Sequence, residues 1–207
     1  MRPILVDAGH GFGNKKPGVF DPGIVNASGE READWNLRYA RSIALNLTDM
    51  GLEAYLTREN NTVPCSLAWR VRTAMRMQAA LLLSIHFNGD AVPGDSAPDG
   101  KVKGFMVLWN TPASERFAKV VLENVETGGS HHLPKIKKCG AGLVRRSDLR
   151  VLRYDPSILL EVGFLDDPED FALIRNADWQ QNACLAVAEA ITQTLGAIKN
   201  ESQVSVG

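Results

Sequence analysis

Leu81-Leu82-Leu83-Ser84-Ile85-His86-Phe87-Asn88 is the stretch on which the fold class turns. Its first half, Leu81 to Ile85, is an almost unbroken apolar run, too short for a helix and too continuous for a half-exposed strand. It reads as a strand buried on both faces of a sheet. Ile4-Leu5-Val6-Asp7-Ala8 and Ile158-Leu159-Leu160-Glu161-Val162 have the same character, and Leu52–Leu56 and Phe105–Trp109 complete the strand set. Helical spacing lies between them. From Ala33 to Met50, Leu37, Ala40, Ile43, Ala44 and Leu47 recur at i, i+3 and i+4, with Gly51 as the stop. Further helices are predicted from Pro64 to Ala79, Ala113 to Val125, Asp167 to Arg175 and Trp179 to Leu195. This alternation predicts an α/β domain, with a mostly parallel (mixed) twisted sheet of about five to six strands flanked by helices. Residues 11–31, 88–102 and 127–148 read as loops, and a polar, flexible tail is expected over 199–207.

Composition narrows the function classes. The chain has 207 residues, enough for one domain with a core of its own. The formal net charge is −1, so the broad basic surface of a nucleic-acid binder is missing. No apolar run approaches the length of a transmembrane helix, and the start, Met1-Arg2-Pro3-Ile4, runs straight into a strand rather than an export signal. The cysteines Cys65, Cys139 and Cys184 are odd in number and widely spaced, which predicts reduced structural thiols.

Chemistry is expected where strands end, because ligands of open α/β sheets bind beyond the carboxyl ends of the strands. Three strands there carry a metal ligand or base: Asp7-Ala8-Gly9-His10-Gly11, Ser84-Ile85-His86-Phe87-Asn88 and Leu160-Glu161-Val162-Gly163. A lone histidine at such a place is usually a satisfied polar residue. Two at matched positions, with a glutamate inside an apolar run, are harder to dismiss, because a carboxylate in such surroundings is costly unless paired or coordinated. A third ligand is sought in Gly29-Glu30-Arg31-Glu32-Ala33-Asp34, although acidic residues there could serve only the helix dipole.

The motifs are similar to those of a known family. Asp7-Ala8-Gly9-His10-Gly11, Glu32-Ala33-Asp34-Trp35-Asn36-Leu37, Leu56-Thr57-Arg58, Ser66-Leu67-Ala68-Trp69-Arg70-Val71, Ser84-Ile85-His86-Phe87-Asn88 and Leu160-Glu161-Val162-Gly163-Phe164-Leu165 follow the order of the zinc-dependent N-acetylmuramoyl-L-alanine amidases called amidase type 3. The resemblance implies a zinc-exopeptidase-like three-layer fold and a catalytic domain over 1–198. It implies one Zn2+ ion held by His10, Glu32 and His86, with an open position for a water. Glu161 would be the catalytic carboxylate, moving a proton from water to the leaving amine while zinc polarises the scissile carbonyl. The substrate would be peptidoglycan, cut between N-acetylmuramic acid and L-alanine. With neither an export signal nor a wall-binding module evident, a phage-type lysin is expected, made in the cytoplasm, reaching the periplasm or cell wall after release, antimicrobial in effect, monomeric, and without nucleic-acid or membrane partners; a host wall-remodelling or recycling amidase is the nearest alternative. Departures from the family are a longer first loop, with Gly11-Phe12-Gly13 in place of a double glycine, and no room for an inhibitory helix, which predicts an open site.

Other residues carry weaker expectations. Asn88, Arg145 and Arg146 are candidates for binding substrate, the arginines as part of a basic stretch with Lys135, Lys137, Lys138, Arg150 and Arg153. Asp7 is expected to orient His10 through its other ring nitrogen. His131 and His132 read as exposed loop residues, and Trp109 as packing with a lesser chance of stacking on sugar. A zinc exopeptidase acting on peptides and a non-catalytic wall-binding module are the rival readings.

Overall fold

A computed structural model of the chain describes residues 2–89, 103–128 and 138–204. In chain order the elements are β1 (Ile4–Ala8), β2 (Gly11–Phe12), β3 (Phe20–Asp21), α1 (Glu32–Asp49), β4 (Ala54–Leu56), α2 (Leu67–Met77), β5 (Leu81–Asn88), β6 (Phe105–Trp109), α3 (Pro112–Thr127), β7 (Lys138–Arg145), β8 (Ser157–Phe164), α4 (Pro168–Ile174) and α5 (Ala177–Val204), with a 3₁₀ turn at Val151–Arg153. The main sheet has six strands in the order β4-β1-β5-β8-β6-β7. Every neighbouring pair is parallel except β6–β8.

Strand alternation divides the apolar residues between two cores. Ile4, Val6, Leu81, Leu83, Ile85, Ile158, Leu160 and Val162 face α1, α3 and α5. Leu5, Leu82 and Leu159 face the other way, with Ala74 of α2 and Val151 and Leu152 of the 3₁₀ turn. Burial on both faces explains the continuous apolar runs and makes the molecule three-layered. The same alternation points Asp7, Ser84, His86 and Glu161 away from the larger core.

The structure corrects the reading of residues 127–148 as loop, since β7 occupies Lys138–Arg145 at the sheet edge. Its glycines and flanking charges give little strand propensity, and the open edge of β6 supplies the pairing that composition does not. The first loop contains a small hairpin in which Gly11 pairs with Asp21 and Phe12 with Phe20. Helix α5 continues to Val204, past Lys199, and Arg116 of α3 pairs with its Glu201. Cys65 and Cys184 are buried free thiols, pushed up by burial to about 11 and about 12. Cys139 lies outside the residues whose side chains are described. No helix among the described residues is long and apolar enough to cross a membrane.

Candidate metal centre and cleft

Strands β1, β5 and β8 are adjacent and parallel, so the residues at their carboxyl ends share one edge. His86 stands in register with Glu161 on β8, and His10 follows β1 after Ala8 and Gly9. Glu32 opens α1 and is only 3% exposed. One ligand atom from each of His10, Glu32 and His86 lies within 4.8 Å of the others. Glu32 bridges the two rings, with Oε2 at 3.0 Å from His10 Nε2 and Oε1 at 3.0 Å from His86 Nδ1. The amides of Ile24 and Phe87 donate to the same carboxylate. Glu30 is exposed, and Asp34 pairs with Arg31, so of the three carboxylates near the helix start only Glu32 reaches the strand ends.

Two glycines make room for this packing. A Cβ on Gly9 would lie 2.2 Å from His86 Nε2. One on Gly23, where φ is +68°, would lie 2.3 Å from Glu32 Oε2.

The electrostatics are those of a cluster that could hold a cation. Burial alone would raise the Glu32 carboxyl, but its contacts with His10 and His86 hold it far below the ordinary carboxylate range. Burial would lower His10, and the Glu32 and Asp21 carboxylates outweigh it, so His10 titrates above the ordinary histidine value. A cation held there would have to displace that proton. Glu161 is the opposite case. Burial, reinforced by the charge of Glu32, raises its carboxyl well above the ordinary value, with Arg146 opposing weakly. Its Oε2 is buried without a hydrogen-bond partner. Two imidazoles and a carboxylate converging beside an unsatisfied second carboxylate fit a three-ligand zinc site with one open position.

A cleft of about 390 Å³ exposes this group. Its walls are His10, Lys15, Gly23, Ile24, Glu32, His86, Phe87, Asn88 and Glu161. Asn88 therefore reaches the cleft, its side-chain oxygen accepting from the Gly89 amide. Arg145 is not brought there. It packs over Trp109, whose register partner on β8 is Ile158, three positions before Glu161. Arg146 pairs with Asp148, and its charge acts on Glu161. His131, His132, Lys135 and Lys137 lie outside the described residues.

Asp7 does not orient His10. Its strand position turns it under the sheet end, where it accepts from Thr57 and Ser84, each at 2.7 Å, and from Arg70. His10 has left the strand in a left-handed conformation, φ 57°, and its Nδ1 meets Asp21 at 2.8 Å. Asn14 donates to the same Asp21 oxygen at 2.7 Å, and the Gly23 amide to the other at 3.3 Å. Against burial, these donors and His10 hold the Asp21 carboxyl at about 2. Asp21 thus takes the orienting role, with Nε2 of His10 left toward Glu32. Sequence reading missed it because Asp21 lies in a loop with no periodicity; only the turn-forming Asp21-Pro22-Gly23 hints at a fixed position there.

Comparison with known proteins places this geometry in context. Residues 4–193 match the family model described as N-acetylmuramoyl-L-alanine amidase, amidase type 3. The N-acetylmuramoyl-L-alanine amidase AmiA of Escherichia coli is 28% identical over 92% of this chain and 75% of its own length. LytC of Bacillus subtilis, also an N-acetylmuramoyl-L-alanine amidase, is 26% identical over 89% of the chain, which spans 34% of LytC. Among solved structures, the catalytic domain of the amidase CwlV from Paenibacillus polymyxa superposes with a TM-score of 0.76 at 26% identity, covering 95% of this chain and 99% of that domain.

Proposed function

The chain belongs to the N-acetylmuramoyl-L-alanine amidase family, amidase type 3, and from that premise we propose that it hydrolyses the amide joining the lactyl group of N-acetylmuramic acid to the L-alanine of a peptidoglycan stem peptide. The observation that carries this reading is the convergence of His10, Glu32 and His86 beside the unpartnered carboxylate of Glu161 in one open cleft. These three residues would hold one zinc ion, which supplies Lewis acidity toward the scissile carbonyl and the attacking water. Every other part belongs to the chain. Glu161 is the one carboxylate of the cleft whose surroundings favour the protonated form, as a group that takes a proton from water and returns it to the departing amine must allow. Asp21 orients His10 for its task, and the backbone amides on Glu32 hold that carboxylate still. Asn88 and Lys15 line the mouth, where polar groups of the glycan–peptide junction would lie. Arg146 would steady a carboxylate of the stem peptide.

A buried proton carrier beside a metal site also sets this reading apart from a wall-binding module, since binding alone leaves the cost of burying Glu161 without a return. Digestion of purified peptidoglycan tests the proposal. Amine release that stops with a chelator and returns with zinc is expected. Release untouched by chelator, with protein shown to be metal-free, would overturn the metal assignment.

A further inference from the structure

Arg58 lies two residues past β4, an edge strand that carries none of the cluster's residues, yet it is 1% exposed and reaches the backbone beside His10 and Glu32. Its Nε donates to Ala8 O at 2.8 Å, and its Nη2 donates to Gly9 O and to Ala33 O, each at 2.8 Å. Its Nη1 donates to Asn61, whose amide in turn donates to Asp34. Gly9 immediately precedes His10, and Ala33 immediately follows Glu32. One rigid guanidinium therefore spans the two chain segments, far apart in sequence, that bring the first two ligands together. A Cβ on Gly11 would lie 2.9 Å from Arg58 Nε, so the chain beyond His10 also rests on it. His10 holds a left-handed backbone, a conformation that costs energy in a non-glycine residue and persists only where its surroundings enforce it. Arg58 on Gly9 O, and Arg70 on His10 O at 2.6 Å, supply that enforcement on either side.

We propose that Arg58 is a positioning residue of the metal site, fixing the segment of His10 against the first turn of α1 so that His10 and Glu32 are set for a cation before it arrives. A lysine could not do this. Its three donors radiate from one atom, whereas the arginine fork reaches three carbonyls and an amide oxygen in one plane.

The inference rests on reading the cluster as a metal site, and the test separates the two. Zinc affinity is measured by chelator competition on the whole chain, wild type against Arg58→Lys, with Leu122→Ala as a destabilised control in the distant α3 core. Affinity per folded molecule should fall about 10- to 100-fold in Arg58→Lys, the range typical of residues that support metal ligands, and stay unchanged in Leu122→Ala. Equal affinity in all three would overturn the positioning role while leaving the metal site intact. Wild type that binds no zinc would overturn the metal reading, and this inference with it. If Arg58→Lys does not fold, Asn61→Ala carries the test. It removes the acceptor of Arg58 Nη1 and with it the onward link to Asp34, leaving the guanidinium on its three carbonyls, and unchanged affinity there would count against the proposal.

Discussion

Replacing Asp7 by asparagine should destabilise this protein far more than an isosteric change usually does. Asp7 is fully buried, and it is the carboxylate that faces two fully buried arginines, Arg58 and Arg70. Arg70 donates to it directly, with Thr57 and Ser84 at 2.7 Å. Asparagine keeps the shape but removes the charge and turns an NH₂ toward existing donors. Breaking a buried pair from one side costs about 3–5 kcal/mol, because the remaining charge keeps its desolvation penalty. That is a fifth or more of a stability of about 5–15 kcal/mol. At about 2–4 °C per kcal/mol for a domain of this size, the melting temperature should fall by about 6–20 °C.

The effect should also depend on pH. Burial raises the Asp7 carboxyl, but Arg70 and the two hydroxyls more than reverse it, so the net shift is downward. A group lowered on folding contributes stability above its unfolded value, near pH 4, and loses it as pH falls through the folded value. The gap between wild type and Asp7→Asn should therefore be widest near neutral pH and narrow in acid. Urea unfolding of chelator-treated protein, followed by circular dichroism from pH 3 to 7, measures it. A neutral-pH gap under about 1 kcal/mol, or one that does not shrink in acid, would refute the reasoning.

Other consequences are sharper at the site. Glu161→Gln should fold and bind zinc like wild type but lose about 10²- to 10⁴-fold in turnover, read by amine release from peptidoglycan. Gly9→Ala places a methyl 2.2 Å from His86 Nε2 and should cost about 1–3 kcal/mol while weakening zinc binding, seen by thermal melts with and without the ion. Arg146→Ala should raise KM about 2- to 5-fold with kcat little changed, as befits an exposed charge, whereas Arg145→Ala, stacked on Trp109 away from the cleft, should alter neither.

The central strands were legible because burial on both faces leaves no alternation to misread, as in Leu81–Ile85. The juxtaposition of the two histidines and Glu161 was legible for a related reason: polar groups within or just past apolar runs need an explanation. The extents of α1 and α3 followed from periodicity, with Gly51 as the stop of α1, to within a residue or two at each end. What escaped depends on tertiary pairing. Strand β7 exists because β6 offers it an edge, and the polar end of α5 is joined by Arg116 to Glu201. The frame around the ligands escaped for the same reason. Arg58 and Arg70 act chiefly on carbonyl oxygens, which every residue has, so no side-chain pattern marks their targets. Asp7 was assigned to His10 by proximity along the chain, whereas the strand pleat sends the two side chains to different partners.

Mass spectrometry of the digestion products names the bond that is cut. Purified peptidoglycan digested by the zinc-loaded protein should yield stem peptides beginning with a free L-alanine amine and glycan strands whose N-acetylmuramic acid keeps an intact lactyl carboxylate, with neither product formed by Glu161→Gln. Fragments cut within the stem peptide, while alanine stays on the sugar, would contradict the claim and make this cleft a peptidase's.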